Sequence, residues 1–170
     1  MKCRKFNSVM PRVNHAWAAS VLGMDVNPYK GPDLVGEEKD VELKFCLVPA
    51  GKRAVSWTAF DYQLQYGETG KSFFWGLGTY ELDRPVKKIR TTSPKELEKY
   101  VRRRELYIVS SDWVHQFPPH ETSGRTYLSQ WENTFRYPRL SKLPTIKRTY
   151  GVKGGLVHLT GGVPEGLFTF

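Results

Sequence analysis

The stretch GPDLVGEEKDVELKF, residues 31–45, decides the fold, because its second half alternates apolar and charged side chains as a β-strand does. Apolar Val41 and Leu43 fall on one side of this strand, and charged Glu42 and Lys44 fall on the other. The preceding DLVG segment can pair with it as a short strand, with a turn over EEK between the two. The sequence therefore predicts a β-hairpin that places charged groups beside a core.

A hairpin centred between Glu37 and Glu38 puts Asp33 directly opposite Glu42. Opposed residues on one sheet face have Cβ atoms about 4.5–5.5 Å apart, and two like charges at that distance destabilise the pair. Lys44 lies two residues beyond Glu42 on the same face and offsets part of the charge. A divalent cation would complete the neutralisation, and Mg²⁺ favours one or two carboxylates together with water and substrate phosphate. The hairpin therefore predicts a Mg²⁺ site at Asp33 and Glu42.

Length and composition limit the class of protein. A chain of 170 residues is long enough for one domain with its own core, so a single domain over residues 1–170 is predicted. No run of about 18 apolar residues is present that would span a membrane, and the basic N-terminal residues lack the apolar core of a secretion signal. Cys3 and Cys46 are too few for a disulfide framework or a four-thiolate metal site. These features predict an intracellular, cytoplasmic protein without a membrane partner.

The positive charge is confined to the second half of the chain. Residues 1–83 contain ten Lys or Arg and ten Asp or Glu, whereas residues 84–170 contain sixteen and seven, which accounts for the whole net charge of +9. A one-sided positive field raises the local concentration of polyanions and supports salt-dependent contacts with phosphates. The distribution favours a nucleic-acid partner, and a soluble surface that is merely basic is the alternative.

The elements around the hairpin predict an α/β protein. Residues 12–24 carry apolar side chains at helical spacing, which predicts an amphipathic helix before the hairpin. Residues 54–67 are a second candidate helix. The aromatic residues 71–82 predict a strand, in which Gly76 and Gly78 leave room for a bulge or for close packing.

A third helix is predicted over residues 93–104, with Ser93 as N-cap, Pro94 in the first turn and Glu96 completing a capping box. The apolar residues that follow it, ELYIVS, predict another strand. From Asp112 onward the sequence gives no firm element, although LVHLT near the C-terminus has the composition of one more strand. The expected class is a mixed central sheet flanked by helices, followed by a basic extension of loops and hairpins from about residue 111 to 170.

The hairpin motif resembles the signature of a known superfamily. Pro32–Asp33, eight intervening residues and then Glu42–Leu43–Lys44 are similar to the signature of the PD-(D/E)xK nucleases. The predicted order of helices and strands also resembles the αβββαβ core of that superfamily, over about residues 12–110. The resemblance says nothing specific about the remaining sixty residues.

The resemblance implies a set of site residues. Asp33 and Glu42 would ligate Mg²⁺, for which Mn²⁺ can substitute, with help from the Leu43 backbone carbonyl. Lys44 would orient or activate the attacking water and stabilise charge on the phosphate. The segment YQLQY is similar to the glutamine-bearing helix of the RecB and lambda-exonuclease branch, in which Gln63 would hold a water or the scissile phosphate; a surface glutamine is the alternative.

The sequence also departs from the superfamily pattern. Many members carry a glutamate on the first helix, where this chain offers His15, and that histidine is either a replacement ligand or an ordinary structural residue. The turn acids Glu37, Glu38 and Asp40 are predicted to be solvated, and His158 shows no zinc-ligand spacing with cysteine.

The activity implied by the resemblance is hydrolysis of DNA phosphodiester bonds by a Mg²⁺-dependent endonuclease, site-specific in the manner of restriction or homing enzymes, with a 5′-phosphate product. A RecB-like exonuclease and a Holliday-junction resolvase are alternatives within the superfamily. A non-catalytic nucleic-acid-binding protein is the alternative from another class, followed by a plain interaction protein. One active site per chain cuts one strand at a time, so a homodimer or homotetramer is expected.

Cationic and aromatic residues of the second half are the candidates for contact with DNA, because lysine and arginine bind phosphates and aromatic rings stack on bases. Arg102 and Arg103 have an alternative interpretation, since cations stabilise the C-terminal end of a helix. The candidate set is Arg102, Arg103, Arg125, Trp131, Arg136, Arg139, Lys147, Arg148 and Lys153.

Overall fold

The fold is taken from a computed structural model of the chain. The structure describes residues 3–49, 57–60, 66, 70–115, 125–127, 130–132, 134–136 and 145–170. Among these residues, no helix is long and apolar enough to cross a membrane.

The described part of the chain contains a few helices and many strands. A 3₁₀ turn at Val86–Lys88 precedes the second helix. In chain order the elements are α1 (Cys3–Leu22), β1 (Asp25–Val26), β2 (Leu34–Val35), β3 (Lys39–Leu47), β4 (Thr58–Phe60), β5 (Ser72–Leu82), α2 (Pro94–Glu98), β6 (Val101–Ser110), α3 (Ser111–His115), β7 (Arg125–Tyr127), β8 (Gln130–Glu132), β9 (Thr134–Arg136), β10 (Ile146–Val152) and β11 (Gly155–Thr160).

Seven strands form one mixed sheet in the order β1-β2-β3-β5-β6-β11-β10. Strand β3 pairs in parallel with β5, and β6 pairs in parallel with β11, while the other pairings in this sheet are antiparallel. The α/β class predicted from the sequence is therefore confirmed at this coarse level. Strands β10 and β11 form a hairpin, and pairing between β11 and β6 makes that hairpin part of the main sheet.

The hairpin of β2 and β3 has the predicted register. Leu34 lies opposite Val41 and Val35 lies opposite Asp40, so the hairpin is centred between residues 37 and 38. The next pair outward in the same register is Asp33 with Glu42. Alternation along β3 agrees with this arrangement, because Val41 belongs to the core that packs against α1.

Helix α1 covers one face of the sheet through two hydrophobic clusters. One cluster joins Trp17, Ala18 and Leu22 to Leu43 and to apolar residues of β5, β6 and β11. The other joins the first turns of the helix to Tyr80 and to residues on either side of α2. The opposite sheet face packs against residues outside the main sheet in a third cluster, made of Trp57, Phe73, Trp75, Leu77, Tyr107, Val109 and Val114.

Gly78 on β5 allows close packing of β3, as its predicted role implied. A Cβ at this position would overlap the ring of Phe45, which packs edge-to-face with Trp17 at 6.3 Å between ring centroids. We expect Gly78→Ala to lower the free energy of unfolding by about 1–3 kcal/mol, the usual cost of overpacking. Gly151→Ala is the matched control, because nothing lies within 4 Å of the added methyl. Urea unfolding of both variants tests this, and equal stabilities would contradict it.

Helix α1 begins nine residues earlier than the predicted start at residue 12. Phe6 and Met10 continue the apolar stripe of the helix and are 1% exposed. Pro11 lies inside the helix and donates no hydrogen bond to the carbonyl of Asn7. Because a proline inside a helix costs this hydrogen bond, the turns before Pro11 were not predicted to be helical. Burial of the two apolar side chains outweighs that cost.

The predicted helix over residues 93–104 was wrong in its second half. The helix ends at Glu98, and β6 begins at Val101 and pairs antiparallel with β5. Ser93 has the extended backbone of an N-cap but makes no side-chain capping hydrogen bond, so the predicted capping box does not form. Sheet pairing and side-chain burial override the helix propensity here.

Arg102 and Arg103 therefore lie on a strand, so their predicted position at a helix end was wrong. Their neighbour Arg104 is 1% exposed: its guanidinium donates to both carboxylate oxygens of Glu98, at 2.7 and 2.6 Å, and to Asn14. This buried cation ties β6 to α1 and α2. Its role is structural.

Strand predictions late in the chain had mixed outcomes. The predicted strand LVHLT is confirmed as part of β11, whereas β10 was missed. Part of the candidate helix over residues 54–67 was wrong, since Thr58–Phe60 form β4 and pair with β9. The remainder of that candidate helix lies mostly outside the described residues, and Gln63 is among the residues not described.

Candidate active site

Asp33 and Glu42 lie where the pairing between β2 and β3 stops, so that one edge of β3 is left unpaired in the described part of the chain. Pairing between the two strands covers only residues 34–35 with 40–41, so among the described residues no strand pairs with this edge of β3 beyond Val41. Asp33 immediately precedes β2 and Glu42 follows Val41 on β3. The short hairpin therefore carries both carboxylates to the point where the sheet edge opens.

The Asp33 carboxylate is held by the backbone of β3. Its Oδ2 accepts a hydrogen bond from the Leu43 amide at 2.9 Å. In an extended strand the N–H and C=O of one residue point to the same side. The Leu43 carbonyl therefore also faces this edge, next to the Asp33 carboxylate, where the resemblance implied a backbone ligand.

Glu42 is a buried carboxylate, 1% exposed, with Lys44 as its cationic partner. The Lys44 ammonium donates to Glu42 Oε1 at 2.6 Å. Burial raises the pKa of Glu42, the charge of Lys44 opposes this shift, and the charge of Asp33 and a hydrogen bond with it add to it, so that the pKa lies at about 7. The two carboxylates therefore lie close enough for Asp33 to influence the ionisation of Glu42.

His15 of α1 completes the group on the helix side. Its Nδ1 is 3.5 Å from Asp33 Oδ1. Burial lowers the pKa of His15, and Lys44 lowers it further, while Asp33 raises it. The imidazole is therefore neutral at neutral pH and acts as a polar neighbour of Asp33. Sequence reasoning left this histidine between a site role and a structural one, and the structure places it at the site.

These groups line a cavity of about 390 Å³. Its walls are the segment of α1 from Asn7 to His15, the segment of β3 from Glu42 to Phe45, and the side chain of Tyr80. Asp33 stands at its rim, a quarter exposed. The lining includes the carboxylates of Asp33 and Glu42 and the apolar side chains of Met10 and Phe45.

The donor set suits a cation that needs few protein ligands. Two carboxylates and a backbone carbonyl match the needs of Mg²⁺, which keeps several waters and accepts phosphate oxygens as further ligands. Within the described part of the chain, no group of three or more His, Cys, Asp or Glu side chains is arranged to hold a metal. The site thus lacks a complete protein cage, and a cation here would depend on water and substrate.

Larger cavities are found elsewhere. One of about 500 Å³ lies at the other edge of the sheet, between β10, β11 and residues 163–170. Lys147 and Arg148 line it, and Arg148 is ion-paired with Glu165, its one acidic lining residue. That cavity has cations but no opposed carboxylates, in contrast to the smaller pocket at Asp33.

The candidate DNA-contacting residues are dispersed over the molecule. Arg102 is exposed on β6, and exposed Arg103 is ion-paired with Glu105. Lys153 is exposed in the turn between β10 and β11, where its carbonyl accepts a hydrogen bond from Trp17. Arg125, Trp131 and Arg136 belong to short strands whose side chains are outside the described part, and Arg139 is outside it altogether.

A second polar cluster, centred on His158, was not predicted. His158 is 7% exposed, stacks on Tyr107, and lies with Nε2 3.3 Å from Glu105 Oε2 and with Nδ1 2.9 Å from the Thr149 hydroxyl. Tyr107 also donates to Glu105 at 2.6 Å. The nearby His158, the hydrogen bond from Tyr107 and the charge of Arg103 together lower the pKa of Glu105 to about 2. The cluster links three neighbouring strands, which is a structural role.

The turn acids had different outcomes. Glu37 and Glu38 are exposed, as predicted. Asp40, also predicted to be solvated, is instead 4% exposed and lies 3.6 Å from the Lys71 ammonium. The reason is that Asp40 already belongs to β3, one residue beyond the turn.

Comparisons with protein-family models, with curated proteins and with solved structures found no match for this chain.

Proposed function

We propose that this chain is a Mg²⁺-dependent nuclease of the PD-(D/E)xK type, which hydrolyses phosphodiester bonds of DNA at defined sites and leaves a 5′-phosphate. The observation that carries the proposal is the convergence of Asp33, Glu42, the Leu43 backbone and Lys44 in one open pocket. In this proposal α1, β2, β3, β5, α2 and β6 correspond in order to the αβββαβ core.

The residues of the pocket divide the hydrolysis between them. Bound Mg²⁺ would supply positive charge to a phosphoryl oxygen and lower the pKa of a coordinated water. Asp33 and Glu42 hold the ion, with the Leu43 carbonyl beside them. Lys44 orients the water that attacks phosphorus and stabilises the added charge while the P–O3′ bond breaks, which leaves a 3′-hydroxyl and a 5′-phosphate.

The width of the sheet gives a minimum length for a substrate that contacts both of its edges. Strands β3 and β10 are separated by four strand spacings, or about 19 Å. A nucleic acid that reaches both the pocket and the cations of β10 must extend about six nucleotides at 3.4 Å each. Lys147, Arg148 and Lys153 would then bind phosphates far from the cut. We also propose a homodimer or homotetramer, in which each chain contributes one pocket.

Substitution of Lys44 and removal of the metal ion together test the proposed nuclease activity. We expect the wild-type protein to cleave plasmid and linear DNA in Mg²⁺ and not in EDTA. We expect Lys44→Ala to lower the cleavage rate about 10²–10³-fold, the usual effect of removing one group that stabilises developing charge. Rates are measured on a labelled oligonucleotide, and product lengths on linear, circular and four-way substrates separate an endonuclease from an exonuclease or a junction resolvase.

Lys71→Ala is the matched control, because Lys71 also pairs with a buried acid, Asp40, but lies outside the pocket. Its cleavage rate should equal that of the wild type. Equal cleavage in Mg²⁺ and EDTA, or no cleavage of any substrate by the wild type, would contradict the nuclease. DNA binding that persists without any cleavage would instead support the non-catalytic alternative.

A further inference from the structure

The loop that delivers Asp33 to the pocket also carries the most exposed large apolar or aromatic side chain in the described part of the chain. Tyr29 is 83% exposed, compared with 45% for Val26, the next highest. The loop runs from Asn27 to Asp33 between β1 and β2, and Lys30 beside the tyrosine is also exposed. An exposed ring next to a cation combines the two groups with which proteins bind single-stranded nucleic acid, an aromatic face and a positive charge.

The position of Tyr29 is fixed by the loop itself. The Asn27 amide donates to the Asp33 carbonyl at 2.9 Å, and the Asn27 side chain donates to the Pro32 carbonyl at 2.9 Å. The Tyr29 amide in turn donates to the Asn27 side-chain oxygen at 3.0 Å. Three hydrogen bonds around one asparagine therefore tie the tyrosine backbone to the backbone of Asp33.

The loop also limits how far Tyr29 lies from the pocket. Four residues span at most about 14 Å when fully extended. The hydrogen bonds around Asn27 make the real separation shorter. At 3.4 Å per nucleotide, Tyr29 is within about four nucleotides of a phosphate held at Asp33.

We propose that Tyr29 stacks on an unpaired base of the substrate, within about four nucleotides of the cleaved phosphate, with Lys30 contacting the neighbouring backbone. This inference rests on the proposed nuclease and names its substrate class, DNA with at least one unstacked nucleotide near the cut. Aromatic rings bind single-stranded nucleic acid through the base face, which a continuous duplex hides. The loop then sets the register between the stacked base and the phosphate at Asp33.

Binding of short fluorescein-labelled oligonucleotides in Ca²⁺ tests the stacking. We expect Tyr29→Ala to weaken binding of a single strand about tenfold, the effect of losing one base–aromatic stack, and to change duplex binding less than twofold. Tyr29→Phe keeps the ring and should bind as the wild type does. Val26→Ala, which shortens a 45% exposed apolar side chain without a ring just before the same loop, is the matched control and should leave binding unchanged.

Cleavage of the same oligonucleotides in Mg²⁺ separates the two proposals. Wild-type cleavage combined with unchanged single-strand binding by Tyr29→Ala would overturn the stacking role and leave the nuclease intact; the exposed tyrosine would then belong to a protein contact. Equal losses on single strand and duplex would also overturn it, since they indicate a general surface effect. An absence of wild-type cleavage would overturn the nuclease, and with it the inference that depends on it.

Discussion

Replacing Asp33 with asparagine should abolish most Mg²⁺-dependent cleavage while leaving the fold intact. The amide oxygen of Asp33→Asn still accepts the hydrogen bond from Leu43, so the end of β2 keeps its anchor. The variant lacks the negative charge that would hold Mg²⁺. Metal catalysis supplies several kcal/mol of transition-state stabilisation, so we expect the cleavage rate to fall about 10³-fold.

The same substitution has a second consequence that a general defect would not produce. The charge of Asp33 raises the pKa of Glu42, so removing that charge relieves part of the repulsion in the metal-free protein. We expect Asp33→Asn to be at least as stable as the wild type in EDTA. Asp83→Asn is the matched control, because Asp83 is an exposed acid paired with Arg84 and lies away from the pocket.

Oligonucleotide cleavage and urea unfolding in EDTA check the two halves of this prediction. A variant that is stable and cleaves at the wild-type rate would show that Asp33 holds no catalytic metal. A variant that loses both activity and stability would show that Asp33 is needed for the fold. Only lost cleavage with preserved stability fits a carboxylate whose main task is to bind a cation.

The hairpin was the most predictable part of this molecule because its information is local. Alternation of Val41 and Leu43 with Glu42 and Lys44 fixes the strand and its faces, and a short turn fixes the register. The pairing of Asp33 with Glu42 follows from these two facts alone. The sequence therefore predicted the hairpin register that brings Asp33 opposite Glu42, without knowledge of any long-range contact.

The rest of the site, and of the fold around it, depends on long-range contacts that no local sequence pattern encodes. His15 meets Asp33 only because α1 crosses the sheet at one particular angle. Arg104 is drawn into a strand by Glu98 and Asn14, although its neighbours continue a helix-like pattern. Strand β10 lies exposed at the edge of the sheet, so its sequence lacks the alternation that burial of one face imposes.

The second large effect is expected at Glu42, whose ionisation should change the free energy of unfolding of the metal-free protein with pH. Its pKa is raised from 4.5 to about 7 in the folded protein, so the folded state holds the proton more tightly than the unfolded state does. The resulting stabilisation is fully present below pH 4.5 and is lost as the pH rises to about 7. A shift of this size corresponds to about 3 kcal/mol, and we expect the wild type to lose that amount across this interval in EDTA.

Glu42→Gln isolates this effect, because the amide resembles the protonated acid and does not titrate. The difference in free energy of unfolding between wild type and variant should change by about 3 kcal/mol from pH 4.5 to pH 8, and urea unfolding at several pH values measures it. Added Mg²⁺ should stabilise the wild type at pH 8 more than the variant, since the amide lacks the negative charge with which Glu42 would hold the ion. A pH-independent difference would mean that the pKa of Glu42 is the same in the folded and the unfolded protein. An equal response of both proteins to Mg²⁺ would place the cation elsewhere, because a ligand stabilises the fold only through the groups that hold it.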